Sequence, residues 1–410
     1  MSKIVKVAVV GAGASGMMAA IAAAGQGAKV TLFEKNDRVG KKILATGNGK
    51  CNLSNLDCGA DHYYCSDKEK LQRMLDTFSP WDTVSFFESM GLMVKNKGGG
   101  LYPYSEQASA VLDILRMELE EKKVTVVTES EIEFAEYRKE KSAFGLRDKN
   151  GNMDFFHKLI IAGGSPASLP KSSKSVYDLA KHFGHHVREL MPGLVQLRSD
   201  EKFCRSLAGV RCNAKVSLLA GKDVLASEEG EVQFTDYGVS GIPVFQFSRL
   251  AAYALKKKES VSVAIDFFPD QDREAFLFFL KLRYEAHKDR TLEEFLTGTL
   301  HKKVNMALIR RNDYKPGTRV SDMGLEKILR LMSQCKAFTL HINGVNPIEN
   351  AQVCAGGVDF GEISDRMESM LLPGLYFAGE MVDVDGCCGG YNLQWAWTSG
   401  YIAGVSASNA

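Results

Sequence analysis

The sequence has no excess of either charge. Its 51 Lys and Arg residues face 50 Asp and Glu residues, which leaves a formal net charge of +1. Without a global positive field, nothing in the composition would recruit nucleic acid, and we expect no nucleic-acid partner. No internal repeat or low-complexity tract is present. With 45% hydrophobic and 25% charged residues over 410 positions, the chain is typical of a folded protein of about two to three domains.

Ordered metal-ligand motifs are also absent. The nine cysteines are scattered without the spacing of zinc ligands. His182, His185 and His186 lie close together, but no cysteine or carboxylate completes a site, so we interpret them as surface or capping histidines. The almost uncharged segment 7–28 looks like a signal peptide, but its regular glycines favour a folded turn and helix. We therefore predict no export signal, no membrane insertion, no metal site, no structural disulfide, and reduced thiols in the cytoplasm.

The N-terminus has the pattern of a βαβ unit. Lys6–Val10 and Lys29–Phe33 are apolar and β-branched, and the intervening 15–26 is rich in alanine. A second crossover is predicted further on, where Ser105 would cap a helix and 124–127 would form a buried strand. Both units are typical of a parallel sheet covered by helices.

A dinucleotide fingerprint lies inside the first unit. Gly11, Gly13 and Gly16 form G-x-G-x-x-G between strand and helix. In such a turn the first glycine permits the bend, the second lets the backbone approach a pyrophosphate, and the third lets helix pack on strand. Glu34 ends the next strand, where it would hold ribose hydroxyls and repel a 2′-phosphate. This site therefore suits FAD or NAD rather than NADP.

The next loop, 38–52, reads R-V-G-K-K-I-L-A-T-G-N-G-K-C-N. Its cations and hydrogen-bonding side chains could wrap a diphosphate and a ribitol, although the same mixture is common in solvated loops; these are Arg38, Lys41, Lys42, Thr46, Asn48 and Asn52. Cys51 lies in the same run, and we favour a buried structural thiol over a reactive one.

Near the C-terminus, 375–378 reads as a strand followed by Gly379 and Glu380. Ligands of α/β sheets bind at the carboxyl ends of the strands. Gly389 and Gly390 then permit the backbone to approach a ring closely. This glycine-rich tail is a second candidate part of the same nucleotide site.

Several longer motifs resemble a known family. They are V-V-G-A-G-A-S-G-M-M-A-A from Val9, T-G-N-G-K-C-N-L-S-N from Thr46, E-G-E-V-Q-F-T-D-Y-G-V-S-G from Glu229, A-Q-V-C-A-G-G-V from Ala351, and G-L-Y-F-A-G-E-M-V-D-V-D-G from Gly374 followed by G-G-Y-N-L-Q-W-A from Gly389. On these motifs the whole chain resembles the BaiN-like, aminoacetone-oxidase-like flavoproteins of the glutathione-reductase-type FAD superfamily.

The resemblance implies an α/β fold: a Rossmann-like FAD-binding domain of the ββα type with an inserted β-barrel-like domain that holds a small helical subdomain. The expected bounds are 1–192 and 342–410 for the FAD-binding domain, 193–269 and 336–341 for the inserted β domain, and 270–335 for the helical subdomain. The residue pattern agrees, because short β segments follow position 193 and 270–335 is charged with a helical period.

The resemblance also implies FAD contacts along both chain ends. The backbone at Val127 would meet the adenine side, and Gly163 would belong to a second glycine turn near the cofactor. Glu380, Asn392 and Leu393 would lie along the ribityl and flavin portions. The full predicted set is Gly11, Gly13, Ala14, Ser15, Gly16, Glu34, Lys35, Arg38, Lys42, Thr46, Gly47, Gly49, Asn52, Val127, Gly163, Gly379, Glu380, Gly390, Asn392 and Leu393.

Two positions depart from the family pattern. Gly100 stands where an arginine is expected before the aromatic-proline pair, which puts in doubt any substrate or anion contact of that arginine. Cys387 and Cys388 stand where relatives often have other small residues. Vicinal thiols beside a flavin could exchange electrons with it, but we favour two ordinary buried cysteines, since the motif is not C-x-x-C.

The expected activity is FAD-dependent oxidation or reduction of a small organic substrate. The resemblance implies either reduction of an enone-type C=C bond with NADH or NADPH as a transient co-substrate, which we favour, or oxidation of a small amine with oxygen. No second complete G-x-G-x-x-G marks a nicotinamide site. The N-terminal fingerprint is also compatible with a non-catalytic or redox-sensing flavoprotein, an NAD-dependent dehydrogenase or an FAD-dependent tRNA-modifying enzyme. The last of these would need a basic face.

Overall fold

The structure is a computed structural model that describes residues 4–168 and 175–409. The chain divides into two compact units, residues 1–191 with 348–410 and residues 192–347. The strands are β1 (Lys6–Val10), β2 (Lys29–Phe33), β3 (Ser54–Asn55), β4 (Tyr63–Tyr64), β5 (Val94–Lys97), β6 (Gly100–Pro103), β7 (Thr125–Val127), β8 (Ile132–Arg138), β9 (Ala143–Asp148), β10 (Met153–Phe156), β11 (Lys158–Ile161), β12 (Val187–Gly193), β13 (Leu197–Arg198), β14 (Arg211–Ala220), β15 (Asp223–Thr235), β16 (Gly238–Ser240), β17 (Val261–Asp266), β18 (Phe338–Ile342), β19 (Gly344–Val345), β20 (Val353–Val358), β21 (Leu375–Phe377) and β22 (Asp385–Gly386).

The helices are α1 (Ala14–Gly25), α2 (Lys68–Thr77), α3 (Pro80–Ser89), α4 (Ala108–Glu121), α5 (Ser175–His182), α6 (Cys204–Leu207), α7 (Ile242–Lys256), α8 (Arg273–His287), α9 (Leu292–Leu296), α10 (Lys302–Arg311), α11 (Val320–Met323), α12 (Leu325–Ser333) and α13 (Tyr391–Ser408). Within the described part of the chain, none of them combines the length and the apolar character that crossing a bilayer requires.

The first unit is built on a five-stranded parallel sheet in the order β21-β11-β1-β2-β7. β1 and β2 are joined through α1, as the sequence predicts, and they pair in register from Lys6 opposite Lys29 to Val10 opposite Phe33. The four apolar residues of β1 after Lys6 are all buried because the strand is central. The carboxyl ends of these strands form the edge at which the fingerprint glycines lie.

The last helix of the chain packs directly on the first. Cβ atoms added at Gly400 and Gly404 of α13 would lie 2.4 Å from the carbonyl oxygen of Ser15 and 2.3 Å from that of Ala19. Only glycine therefore permits α13 to approach the α1 backbone so closely. This contact joins the two ends of the chain into one nucleotide-binding body.

The second unit has a seven-stranded sheet in the order β18-β17-β14-β15-β16-β13-β19, and every pairing in it is antiparallel. Its core packs aromatic and aliphatic residues of this sheet, such as Phe234 and Phe338, with buried residues of α7 to α12. β18 runs through Ile342 and β19 joins the same sheet, so this unit continues to Pro347, beyond the predicted boundary at 342.

Two local predictions are wrong. Gln107, not Ser105, occupies the N-cap of α4, because Glu106 adopts a left-handed φ of 52° that interrupts the backbone before the helix. The strand at 125–127 is not buried, since β7 lies at the edge of the sheet and the Val126 side chain is 39% exposed. Apolar composition alone does not distinguish an edge strand from a central one.

Candidate functional site

The fingerprint glycines form the predicted turn between β1 and α1. Gly11 has φ of 102°, and a Cβ there would lie 2.5 Å from the carbonyl oxygen of Ala162. A Cβ at Gly16 would lie 1.8 Å from the carbonyl oxygen of Gly11. The Gly11 N–H donates to the Phe33 carbonyl oxygen at 2.8 Å, which holds the turn against β2. Neither position accepts a side chain in this arrangement.

The N-terminus of α1 is open to an anion. Gly13 is its N-cap and offers no side-chain capping bond, and no acidic residue lies in the first turn. A Cβ built at Gly13 would meet nothing within 4 Å, so no other part of the protein crowds the N-cap itself. Backbone N–H groups and the helix dipole favour a phosphate at such an end.

Glu34 lies at the carboxyl end of β2, and the residue is only 7% exposed. Oε2 accepts the Ala12 N–H at 3.0 Å, and Oε1 accepts the N–H and the side-chain amide of Asn36 at 2.9 and 2.5 Å. The Glu34 N–H donates to the Val127 carbonyl oxygen at 2.8 Å. The carboxylate is thus fixed beside the glycine turn, where a ribose would lie.

The two chain ends also meet through an ion pair. Lys42 Nζ donates to Glu380 Oε2 at 2.5 Å, and Glu380 Oε1 accepts the Cys354 N–H at 2.9 Å. Both ionic side chains are partly buried. Lys35 is partly buried and Arg38 is exposed. Lys42, one of the predicted cations, therefore links this loop to the tail.

The Thr46–Asn52 loop is held in an unusual conformation. Gly47 and Asn48 both have φ of 54°, and the Thr46 carbonyl oxygen accepts the Cys51 N–H at 3.2 Å. Cys51 is buried, and this burial raises the pKa of its thiol to about 11. The burial predicted for Cys51 is confirmed, and a buried thiol with a raised pKa favours a structural role.

Asn52 supplies a buried acceptor without a protein donor. Within residues 4–168 and 175–409, its Oδ1 has no hydrogen-bond partner. Gly390, with φ of 100°, comes so close that a Cβ there would lie 2.9 Å from this oxygen. Leaving a buried acceptor unpaired costs about 1–3 kcal/mol, so a ligand with N–H or O–H donors fits this place. The ribityl hydroxyls and ring N–H of FAD are such donors.

The C-terminal loop is braced by its own residues. The Asn392 Oδ1 accepts the Gly386 N–H at 2.8 Å, and Nδ2 donates to the carbonyl oxygens of Gly386 and Cys387 at 2.7 and 3.3 Å. The Asn392 side chain therefore fixes the backbone of the loop at Gly386 and Cys387. Leu393 packs against the core, and a Cβ at Gly379 would lie 2.3 Å from Ser15 Oγ. The tail glycine Gly379 therefore lies directly against the first helix.

Further supports of the site were not anticipated from the sequence. Gln394 Oε1 accepts the hydroxyls of Ser54 and Thr83 at 2.6 and 2.9 Å, and its Nε2 donates to Thr398 Oγ1 and to the Phe78 carbonyl oxygen, both at 3.0 Å. This buried network fixes α13 to the segment that follows Asn52. Its signal in the sequence is a polar residue within an apolar helix, which indicates either burial with partners or function.

The predicted second glycine turn contains Gly163, which is exposed, and a Cβ there would lie 2.4 Å from Val176 Cγ1.

The interpretation of His185 as a surface or capping histidine is wrong. Its ring is buried, with Nδ1 at 2.9 Å from Glu362 Oε2 and Nε2 at 2.8 Å from Ser369 Oγ. Cys387 and Cys388 are half-buried rather than fully buried.

Comparison with known proteins identifies the family. Residues 5–406 match the family described as "HI0933-like protein Rossmann domain". The chain belongs to this family. It is an FAD-binding oxidoreductase with a Rossmann-like α/β fold, and the flavoprotein resemblance seen in the sequence is confirmed.

Three named relatives align with nearly the whole of this chain. A "3-dehydro-bile acid delta(4,6)-reductase" of Clostridium scindens is 40% identical over 98% of this chain and 99% of its own length. Two proteins named "Ribosomal RNA dihydrouridine synthase" are more distant. That of Escherichia coli is 30% identical over 96% of this chain and 95% of its own, and that of Haemophilus influenzae is 28% identical over 98% of both.

Proposed function

We propose that this protein reduces a C=C bond conjugated to a carbonyl group in a small organic substrate, with a reduced nicotinamide as the electron donor. The observation on which the proposal rests is the 40% identity, over the whole chain, to a relative named as a delta(4,6)-reductase. The more distant relatives agree in chemistry, because forming dihydrouridine also saturates a C=C bond next to a carbonyl.

The reaction balances as follows. A hydride is added to the β-carbon of the enone and a proton to the α-carbon, while the nicotinamide loses the hydride and becomes oxidised. Bound FAD supplies the chemistry that accepts this hydride from one partner and passes it to the other. The protein's own contribution is to bind, orient and exclude water.

Residues of the first unit have defined roles in this proposal. The open N-terminus of α1 binds the diphosphate, and Glu34 accepts the hydrogen bonds of a ribose and disfavours a 2′-phosphate. Asn52 Oδ1 accepts a hydrogen bond from the ribityl chain or the ring. The Lys42–Glu380 pair holds the tail loop against the loop that contains Asn52. We assign no proton donor.

A uridine in ribosomal RNA is the second candidate substrate, favoured by the names of the two relatives at 28% and 30% identity. The balance of 51 basic and 50 acidic residues favours the small molecule instead. A cytoplasmic location belongs to the same proposal and is supported by buried free cysteines such as Cys51, Cys204 and Cys335, which are typical of proteins in a reducing compartment.

An absorption spectrum of the purified protein followed by anaerobic titration with NADH and NADPH tests the proposal. We expect a flavin spectrum that bleaches with one nucleotide and recovers on addition of a steroid enone without oxygen. Bleaching by a nucleotide followed by recovery with air but not with any enone would contradict enone reduction. A flavin that neither nucleotide reduces would contradict the nicotinamide-linked reductase and favour a small-amine oxidase or a non-catalytic flavoprotein.

A further inference from the structure

The first unit contains a small cavity beside the Thr46–Asn52 loop. It has a volume of about 220 Å³ and is lined by Gly47, Lys50, Lys97, Tyr102 and Glu106. Lys97 is the last residue of β5, and Tyr102 lies on β6, the strand that pairs with it. Gly47 belongs to the loop that we propose to hold FAD, so the cavity lies at the border of that site.

Positive charge dominates the cavity. Glu106 is its single acidic residue, and this carboxylate is bound by Lys50 at 2.9 Å and by Lys95 at 2.8 Å. These two ammonium groups lower the pKa of Glu106 to about 2. Across the described ranges 4–168 and 175–409, no acidic side chain pairs with Lys97. Among the residues that line the cavity, Lys50 and Lys97 against the single carboxylate of Glu106 leave one uncompensated positive charge.

Three consecutive glycines lie between Lys97 and Tyr102, two of the residues that line the cavity. Gly98 and Gly99 make the turn after Lys97 with φ of 60° and 92°. A Cβ at Gly100 would lie 3.0 Å from the Tyr102 ring and 3.3 Å from Asn52 Nδ2. A larger residue at position 100 would therefore push against Tyr102, which is a wall of the cavity.

We propose that this cavity is an oxyanion subsite of the enzyme. It takes the carboxylate or phosphate group of a reactant, with Lys97 and Lys50 as its donors and Glu106 holding the Lys50 ammonium in place. The two sources of such a group are an enone substrate with a carboxylic acid and the phosphates of the reduced nicotinamide. The inference rests on the proposed function, because it requires one of these two reactants.

The test compares Lys97→Gln with wild type on a steroid enone that has a carboxylic acid and on its methyl ester. Losing one charge-assisted hydrogen bond lowers affinity about tenfold. If the substrate supplies the oxyanion, KM for the acid rises about tenfold in Lys97→Gln while KM for the ester is unchanged. If the nicotinamide supplies it, KM for NADH or NADPH rises instead. Either result supports the subsite.

Lys139→Gln is the matched control, because Lys139 is exposed in the same unit and lies outside the cavity. It should change none of these constants. Equal KM values for all reactants in wild type and Lys97→Gln would overturn the proposal. Loss of FAD from Lys97→Gln would also overturn it, since the cavity would then belong to the cofactor itself.

A binding measurement separates failure of this inference from failure of the proposed function. Inorganic phosphate is titrated into the FAD-loaded protein while the flavin spectrum and the unfolding temperature are followed. A saturable effect in wild type and Lys139→Gln that weakens about tenfold in Lys97→Gln supports the subsite, even if no enone is reduced. No saturable effect, together with unchanged KM values, refutes the subsite while leaving the reductase proposal intact.

Discussion

Replacing Gln394 with leucine should uncouple α13 from the segment beside the flavin site. The side chain is fully buried and makes four hydrogen bonds to neighbours that are themselves buried. Leucine has a similar volume, so packing changes little, but the hydroxyls of Ser54 and Thr83 lose their common acceptor. Each buried polar group left unpaired costs about 1–3 kcal/mol. We therefore expect the free energy of unfolding to fall by about 2–5 kcal/mol.

Urea denaturation of the FAD-loaded protein, followed by flavin fluorescence and circular dichroism, measures this loss. FAD affinity should weaken as well, because Ser54 follows the Asn52 segment directly. Gln107→Leu is the control, since Gln107 is exposed and its side chain makes no capping bond. A loss below about 1 kcal/mol for Gln394→Leu, or an equal loss in the control, would refute the assignment of Gln394 as the anchor of α13.

Three further predictions concern packing, pH and thiol reactivity. Gly404→Val should destabilise the protein by at least about 2 kcal/mol in urea denaturation, since its Cβ would overlap the Ala19 carbonyl oxygen of α1; a neutral effect would contradict the close contact. Burial lowers the pKa of His185 below its ordinary value, so the folded state binds fewer protons than the unfolded state. The contribution of His185 to the free energy of unfolding should therefore be fully present above about pH 6.5 and fall as the pH drops below it. In denaturation at a series of pH values, His185→Gln should flatten this dependence. Cys51 should resist alkylation in the native protein at about pH 8 and react after unfolding, as mass spectrometry of the peptides would report; rapid native labelling would contradict its burial.

Local patterns were sufficient for the first βαβ unit of the nucleotide-binding half of the fold. The βαβ unit at the N-terminus was predictable because the hydrophobic periods of strands and helices can be recognised within short stretches of sequence. Its turn was predictable from Gly11 and Gly16, which stand where no side chain fits. The glycine-rich tail could be placed at the same site, since Gly379 and Gly390 allow close backbone approach.

Partners distant in the sequence were not predictable in the same way. Lys42 and Glu380, which are both predicted to contact FAD, also bind each other across 338 positions, and the sequence did not indicate this pair. His185 looked like a surface residue because its partners, Glu362 and Ser369, lie far along the chain. Such pairs form only when separate elements pack together, and no hydrophobic pattern within a short stretch of sequence predicts them.

The sequence by itself determined the fold class and the location of the dinucleotide turn, and it pointed to the two chain ends on which we propose that the flavin binds. The tertiary structure alone decided which polar groups of that site are satisfied by protein and which, like Asn52 Oδ1, still need a donor. It also gathered Lys50, Lys97 and Glu106 around one cavity. The reason is physical: backbone preference acts over a few residues, whereas hydrogen-bond satisfaction and charge balance depend on every element that packs around a group.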